Sequence, residues 1–207
     1  EAEPARAADI EKFLSEVIWR EFAWHLLLEF PHMATTAWRE GWADFPWREA
    51  NDDSRKWCRG ETGMALVDAG LREMRVTGRM HNRVRMITAS FLVKDLHVEW
   101  QHGARHFLHW LVDGDLASNN HGWQWVAGTG TDAAPYFRVF NPVTQGEKFD
   151  PTGDYVRRWV PELRHLSGKA AHQPWKADDG YAHDYPERIV DHAQERLEAL
   201  ARYDEAT

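Results

Sequence analysis

No stretch of this chain alternates apolar and polar residues for long enough to found a β-sheet, whereas segment after segment repeats its apolar residues every three to four positions. That period belongs to the α-helix, and the expected fold class is all-α: a multi-helical domain with long irregular loops. The residues from Glu1 to Ile10 are expected to be solvated and to lead into a helix that ends before Pro31. On it Ile10, Phe13, Leu14 and Val17 form one stripe, read as the core face, while Glu16, Trp19, Arg20 and Ala23 repeat the spacing on a second. Thr62 to Arg75 predicts another helix, with Gly78 ending the turn after it. Residues Asn82 to Val112 are helical in pattern, continuous or broken near His97-Val98, and their wheel puts Trp100 at the middle of a buried face with Ala104, Phe107 and Leu111. Asp113 to Gly122 reads as turn-forming. From Gly128 to Gly153 the density of Gly, Pro, Asp and Asn predicts irregular chain, whose Tyr136, Phe137, Phe140 and Phe149 argue for an ordered, functional loop. Tyr155 to Leu163 and Pro186 to Arg202 read as two further helices.

A chain of 207 residues suits one domain. No apolar run approaches the ~18–20 residues that cross a bilayer, so no membrane partner is expected, and the acidic start lacks the pattern of a signal peptide; the chain reads as cytoplasmic. Cys58 is the single cysteine and can form no internal disulfide. Two features depart from average composition. Twelve tryptophans are several times ordinary usage, and each buried indole N–H needs an acceptor. The formal net charge of -8 argues against wholesale nucleic-acid binding, yet from Met74 to Lys94 the chain carries Arg75, Arg79, Arg83, Arg85 and Lys94 without one acidic residue. A local basic segment of this kind suits phosphate.

His102, His106 and His109 have a spacing zinc would accept, but the wheel turns them away from Trp100, without a carboxylate bound to point the same way, and a solvated helix face is the preferred reading. Neither a nucleophile elbow nor a glycine-rich phosphate loop occurs, and Cys58 has no evident histidine partner. Helical spacing places Asn82, Arg83 and Met86 on one side, where an amide, a guanidinium and a thioether could wall a pocket, with Arg85 pointing elsewhere. Asp113 and Asp115 could hold a metal, cap a helix or accept from cofactor hydroxyls.

Four motifs carry a resemblance. Ile18-Trp-Arg-Glu-Phe22, Gly78-Arg-Met-His-Asn-Arg-Val-Arg-Met-Ile-Thr-Ala-Ser-Phe-Leu92, Asp113-Gly-Asp-Leu-Ala-Ser-Asn-Asn-His-Gly-Trp-Gln-Trp125 and Gly128-Thr-Gly-Thr-Asp-Ala-Ala-Pro-Tyr-Phe-Arg-Val-Phe-Asn-Pro142 resemble the C-terminal catalytic region of photolyases and cryptochromes, most of all class I cyclobutane pyrimidine dimer photolyases. The resemblance runs from Phe13 to about Tyr203. It implies that residues 1–207 are the C-terminal part of an FAD-binding domain. The family's N-terminal α/β antenna domain and its FAD phosphate-binding loop have no counterpart in this sequence, so an antenna chromophore, folate or deazaflavin, is expected elsewhere and FAD binding by these residues alone is expected to be weak.

The resemblance further implies roles. FAD, reduced in the active form, would meet Asp113, Gly114 and Asp115, with Arg85 paired to Asp113 and Asn119 facing flavin N5. Damaged DNA would present a flipped-out pyrimidine dimer to Trp19 and Trp125, with Glu16 bonded to the pyrimidine edge from a desolvated carboxyl. Arg20, Asn82, Arg83 and Met86 would complete that pocket, and Gln145, near Arg138 and Lys148, would sit on a loop at the DNA backbone. Trp47, Trp100 and Trp123 would relay electrons from the surface. The protein would act as a monomer. Phe13, Arg79 and His121 depart from the family pattern. The implied activity is light-driven dimer repair; a cryptochrome-like photoreceptor is the alternative, and a tryptophan-rich DNA-binding module without cofactor a third.

Overall fold

The structure is a computed structural model that describes residues 4–42, 44–131 and 138–206; Tyr136 and Phe137 of the expected functional loop lie outside them. Ten α-helices occur among these residues: α1 (Pro4–Glu29), α2 (Asp52–Arg59), α3 (Ala65–Thr77), α4 (Asn82–Ser90), α5 (Trp100–Trp110), α6 (Leu116–Ala127), α7 (Pro142–Phe149), α8 (Asp154–Trp159), α9 (Lys169–His172) and α10 (His192–Ala206). No strand forms among the described residues, and a lone bridge joins Arg48 to Val98. None of the helices is long and apolar enough to cross a membrane.

The helix α3 is the hub. Its Leu66, Val67, Leu71 and Met74 enter the main core with Trp57, Phe91, Leu92, Trp100 and Trp123, while Ala65 and Ala69 on the adjoining face enter a smaller core with Val156, Leu163 and Tyr185. It ends at Gly78, whose φ of 71° is the left-handed cap that lets its N–H return to Met74 O. In the first turn of α3 the fully buried Asp68 carboxylate accepts from Thr62 N, Thr62 Oγ1, Gly63 N and the Tyr185 hydroxyl, fastening both cores to one point. Its pKa is still raised, because desolvation outweighs those four donors.

Of the two alternatives left open for the run from Asn82, the structure shows the broken one: α4 passes into a π-helical turn (Phe91–Asp95), and His97 takes a positive φ of 57° before α5 begins. Clips from α10 hold this break. His97 Nε2 meets Glu195 Oε2 at 2.7 Å, and His192 bonds the buried Asp95 carboxylate, whose pKa burial pushes up to about 6.

Several expectations require correction. The α1 stripe read as a core face is exposed: Ile10, Phe13 and Leu14 are 49%, 68% and 53% accessible, and the described elements pack on the opposite side through Ala23. Periodicity reveals an apolar face without saying what covers it. The expected solvated lead-in is already helical from Pro4. The turn expected at Asp113 to Gly122 stops at Asp115, because that carboxylate accepts from Ala117 N and Ser118 N and so starts α6. In the same way Asn141 caps α7 inside the stretch expected to be irregular, with Pro142 in the first turn, and Asp191 caps α10 five residues beyond the expected start. The helix expected to reach Leu163 ends at Trp159 and resumes as a 3-10 turn from Pro161. The histidine face of α5 is only partly solvated: His109 is exposed, but His106 packs on Trp57 of α2 at 5.3 Å, and Cys58 Sγ lies 3.9 Å from His102 Nε2. Burial pushes the Cys58 thiol up, so this pair is no activated thiolate. No cluster of three metal-ligating side chains occurs among the described residues.

Candidate functional site

The packed pair α5 and α6 forms the floor of the site. Gly103 of α5 has no side chain where the Trp123 ring lies, since a Cβ there would fall 2.5 and 2.6 Å from Cζ3 and Cζ2 of that indole. The glycine lets α6 approach closely enough to bury Trp123 between Phe107, at 4.9 Å, and Trp57, at 6.1 Å. The start of α6 turns inward from its Asp115 cap, and α1 crosses it with the second stripe facing the gap.

Between α1, α4 and α6 opens a cavity of about 760 Å³, within the ~300–1,000 Å³ of ligand pockets. It gathers most of the residues the sequence singled out. Glu16, Trp19 and Arg20 line it from α1, Asn82 and Met86 from α4, Asp113, Gly114 and Asp115 from the turn, and Asn119, Trp123 and Trp125 from α6. Arg85 corrects its expected direction: it lines the cavity, where its Nη2 lies 2.9 Å from each oxygen of Asp113 and its Nε donates to Met80 O. The turn beyond α5 and the start of α4 are thereby locked together. Arg83 is the converse case. It does not line the cavity but lies over the Phe149 ring at 4.1 Å, and Lys148 lies 5.3 Å from the same ring, so a basic and aromatic patch flanks the site. Gln145 is on α7 in this patch, not on a loop, and its buried Oε1 has no partner.

Three observations bear on a bound cofactor. Both amide hydrogens of Asn119 are committed, one to Ala104 O at 3.1 Å and one to Asn120 Oδ1 at 3.2 Å, so the group it can offer a ligand is an acceptor. Ser118 and Trp123 line the same cavity, and Ser118 Oγ and Trp123 Nε1 are buried polar atoms with no hydrogen-bond partner among the described residues. Asp115 spends Oδ1 on its helix cap and keeps Oδ2. This donor and acceptor set fits a polar heteroaromatic nucleotide. The sequence had not singled out Ser118; its place beside Asn119 on the same helical turn was the available signal.

Glu16 departs from expectation. Its side chain is 50% exposed and ion-paired with Lys12 one turn before, so the described residues leave the cavity open on the α1 side and do not supply the dry surroundings foreseen for that carboxyl. Trp47 and Trp100 lie outside this cavity. Both line a second one of about 920 Å³, Trp100 buried and Trp47 partly exposed. Trp123 thus lines the first cavity, and Trp100, one turn before Gly103 on α5, lines the second with Trp47.

Residues 13–205 match the model of a protein family described as the FAD binding domain of DNA photolyase. The chain belongs to that photolyase family. The deoxyribodipyrimidine photo-lyase of Escherichia coli is 51% identical to it over 197 residues, covering 94% of this chain and 42% of the relative. A bacterial class III photolyase from Agrobacterium tumefaciens superimposes with a TM-score of 0.89 at 48% identity, covering 96% of this chain and 43% of that one. A cryptochrome of Synechocystis does so with 0.85 at 35%, covering 92% and 41%. This photolyase-family chain thus spans about two-fifths of the length of the proteins it matches.

Proposed function

We propose that residues 1–207 form the C-terminal part of a flavin domain that holds FAD in the α1/α4/α6 cavity and takes part in light-driven repair of cyclobutane pyrimidine dimers in DNA. What supports this most is one observation: Glu16, Trp19 and Trp125, suited to a base, share a single cavity with Asp115 and Asn119, suited to a flavin nucleotide. When bound, reduced FAD supplies the photoexcited electron that splits the dimer. The chain's own residues prepare for this. Arg85 holds Asp113 in place; Asn119 offers its carbonyl oxygen to a ring N–H; the free oxygen of Asp115 and the unpartnered Ser118 hydroxyl accept or donate to the nucleotide. Trp19 and Trp125 stack the extruded bases, each such contact being worth ~1–3 kcal/mol, and Glu16 exchanges Lys12 for the pyrimidine edge. A dimer leaves the duplex more readily than an intact step because damage weakens stacking. Arg83 and Lys148, with Gln145 on the same helix as Lys148 and Arg138 nearby in sequence, hold phosphates beside the site, where an acidic protein concentrates its basic charge.

Trp123, Trp100 and Trp47 form the proposed relay that returns the flavin to its reduced state. The antenna chromophore, folate or deazaflavin, belongs to this proposal as a group bound outside residues 1–207, as do the monomeric state and a cytoplasmic location. Blue-light repair of a dimer-containing oligonucleotide by the full-length protein with reduced FAD tests the reading, and absence of repair refutes it. The likeness to a cryptochrome favours a second reading, a photoreceptor using the same cavity and relay. Trp125→Ala separates the two: under the repair reading it abolishes dimer splitting while flavin photoreduction through Trp123 survives.

A further inference from the structure

Three rings close on one another where α1 meets α6. Trp19 and Phe22 of α1 meet edge to face with centroids 5.8 Å apart. His121 of α6 lies 5.7 Å from Phe22, again edge to face, and 6.4 Å from Trp19 with the two planes only 27° apart. The three distances make a nearly equilateral cluster spanning the seam between the helices. Trp19 and Phe22 are 53% and 42% exposed, so the core does not hold either ring. The buried contact between the helices, through Ala23, fixes their backbones and leaves the indole its two side-chain torsions. A half-exposed tryptophan left to itself would have to be ordered by whatever stacks on it, at a cost in affinity.

We propose that His121 is a positioning residue for Trp19: its ring braces the indole from α6, so that the aromatic wall is set before a base arrives. Histidine suits the place because it brings a flat ring with a polar edge to an open rim shared with Lys12, Glu16 and Arg20. The consequence for DNA rests on the function proposed above, since a preformed wall benefits the extruded pyrimidine and not intact duplex.

The test uses the full-length holoprotein labelled with 5-fluorotryptophan, with the Trp19 resonance identified by its loss in Trp19→Phe. His121→Ala is expected to shift and narrow that resonance and to weaken binding of a dimer-containing oligonucleotide about three- to tenfold, the range of an aromatic pair, with undamaged DNA unaffected. His121→Phe is expected to restore both. An unmoved Trp19 resonance, unchanged lesion affinity in His121→Ala, or failure of His121→Phe to rescue overturns the proposal. If the unsubstituted protein shows no preference for damaged DNA, the functional reading falls, and the fluorine resonance alone still decides whether His121 braces Trp19.

Discussion

Gly103 gives the sharpest stability test of how the site is built. In an ordinary helix interior, Gly→Ala stabilises by up to ~1 kcal/mol. At Gly103 the added Cβ would fall closest to Cη2 of Trp123 and 2.5 and 2.6 Å from its Cζ3 and Cζ2, so the ring would have to retreat by more than about 1 Å to reach ordinary contact. Phe107 and Trp57, both almost wholly buried, pack against that ring and resist its displacement. Overpacking a core costs roughly 1–3 kcal/mol, and a rigid ring backed by two others belongs near the top of that range. After the helix gain is subtracted, Gly103→Ala is expected to destabilise by ~2 kcal/mol, lowering Tm by about 4–8 °C. Gly122 on α6 is the control: a Cβ there meets nothing within 4 Å and its φ is not positive, so Gly122→Ala is expected to raise Tm by about 2–4 °C. Thermal unfolding by circular dichroism reads both, and near-ultraviolet dichroism reports the displaced indole. If Gly103→Ala raises Tm as Gly122→Ala does, the close approach of α5 and α6 around Trp123 is wrong.

His106, whose pKa burial depresses from its ordinary value to about 4, should make the fold acid-sensitive. A histidine held neutral contributes stability that is complete above about pH 6.5 and is lost as pH falls toward 4, here ~2–3 kcal/mol after allowance for partial exposure; urea unfolding at pH 7 and pH 5 should show it, and His106→Phe should flatten it. Asp68→Asn cannot accept from all four of its donors and is expected to cost ~2–4 kcal/mol by chemical denaturation, whereas a loss below about 0.5 kcal/mol would remove Asp68 as the link between the two cores. Arg85→Lys keeps the charge but loses the two-oxygen grip on Asp113, which is largely exposed; stability should change by less than ~1 kcal/mol while flavin retention in the full-length protein falls several-fold on dialysis.

How much of this could be read beforehand differs by feature. The all-α class came from period alone, whereas the pattern left the run from Asn82 either continuous or broken near His97, and the structure shows the break. The caps at Asp115, Asn141 and Asp191 were equally present in the sequence. They were missed because Asn, Asp, Gly and Pro signal turns and helix starts alike, and the packing of the next segment decides between the two. For the site, the four motifs grouped Glu16, Trp19, Asn119 and Trp125 through resemblance, since no local rule links positions a hundred residues apart.

By itself, then, the sequence determined the all-α class, the buried place of Trp100 and the family, because local period and motif order are properties of neighbouring residues. The tertiary structure decided which α1 stripe is covered, that Arg85 rather than Arg83 enters the cavity, that Glu16 sits wet beside Lys12, and that His121 reaches Trp19. Each of those depends on which helix lies opposite, and that is set by the close packing of distant segments, such as α6 on the bare backbone of Gly103.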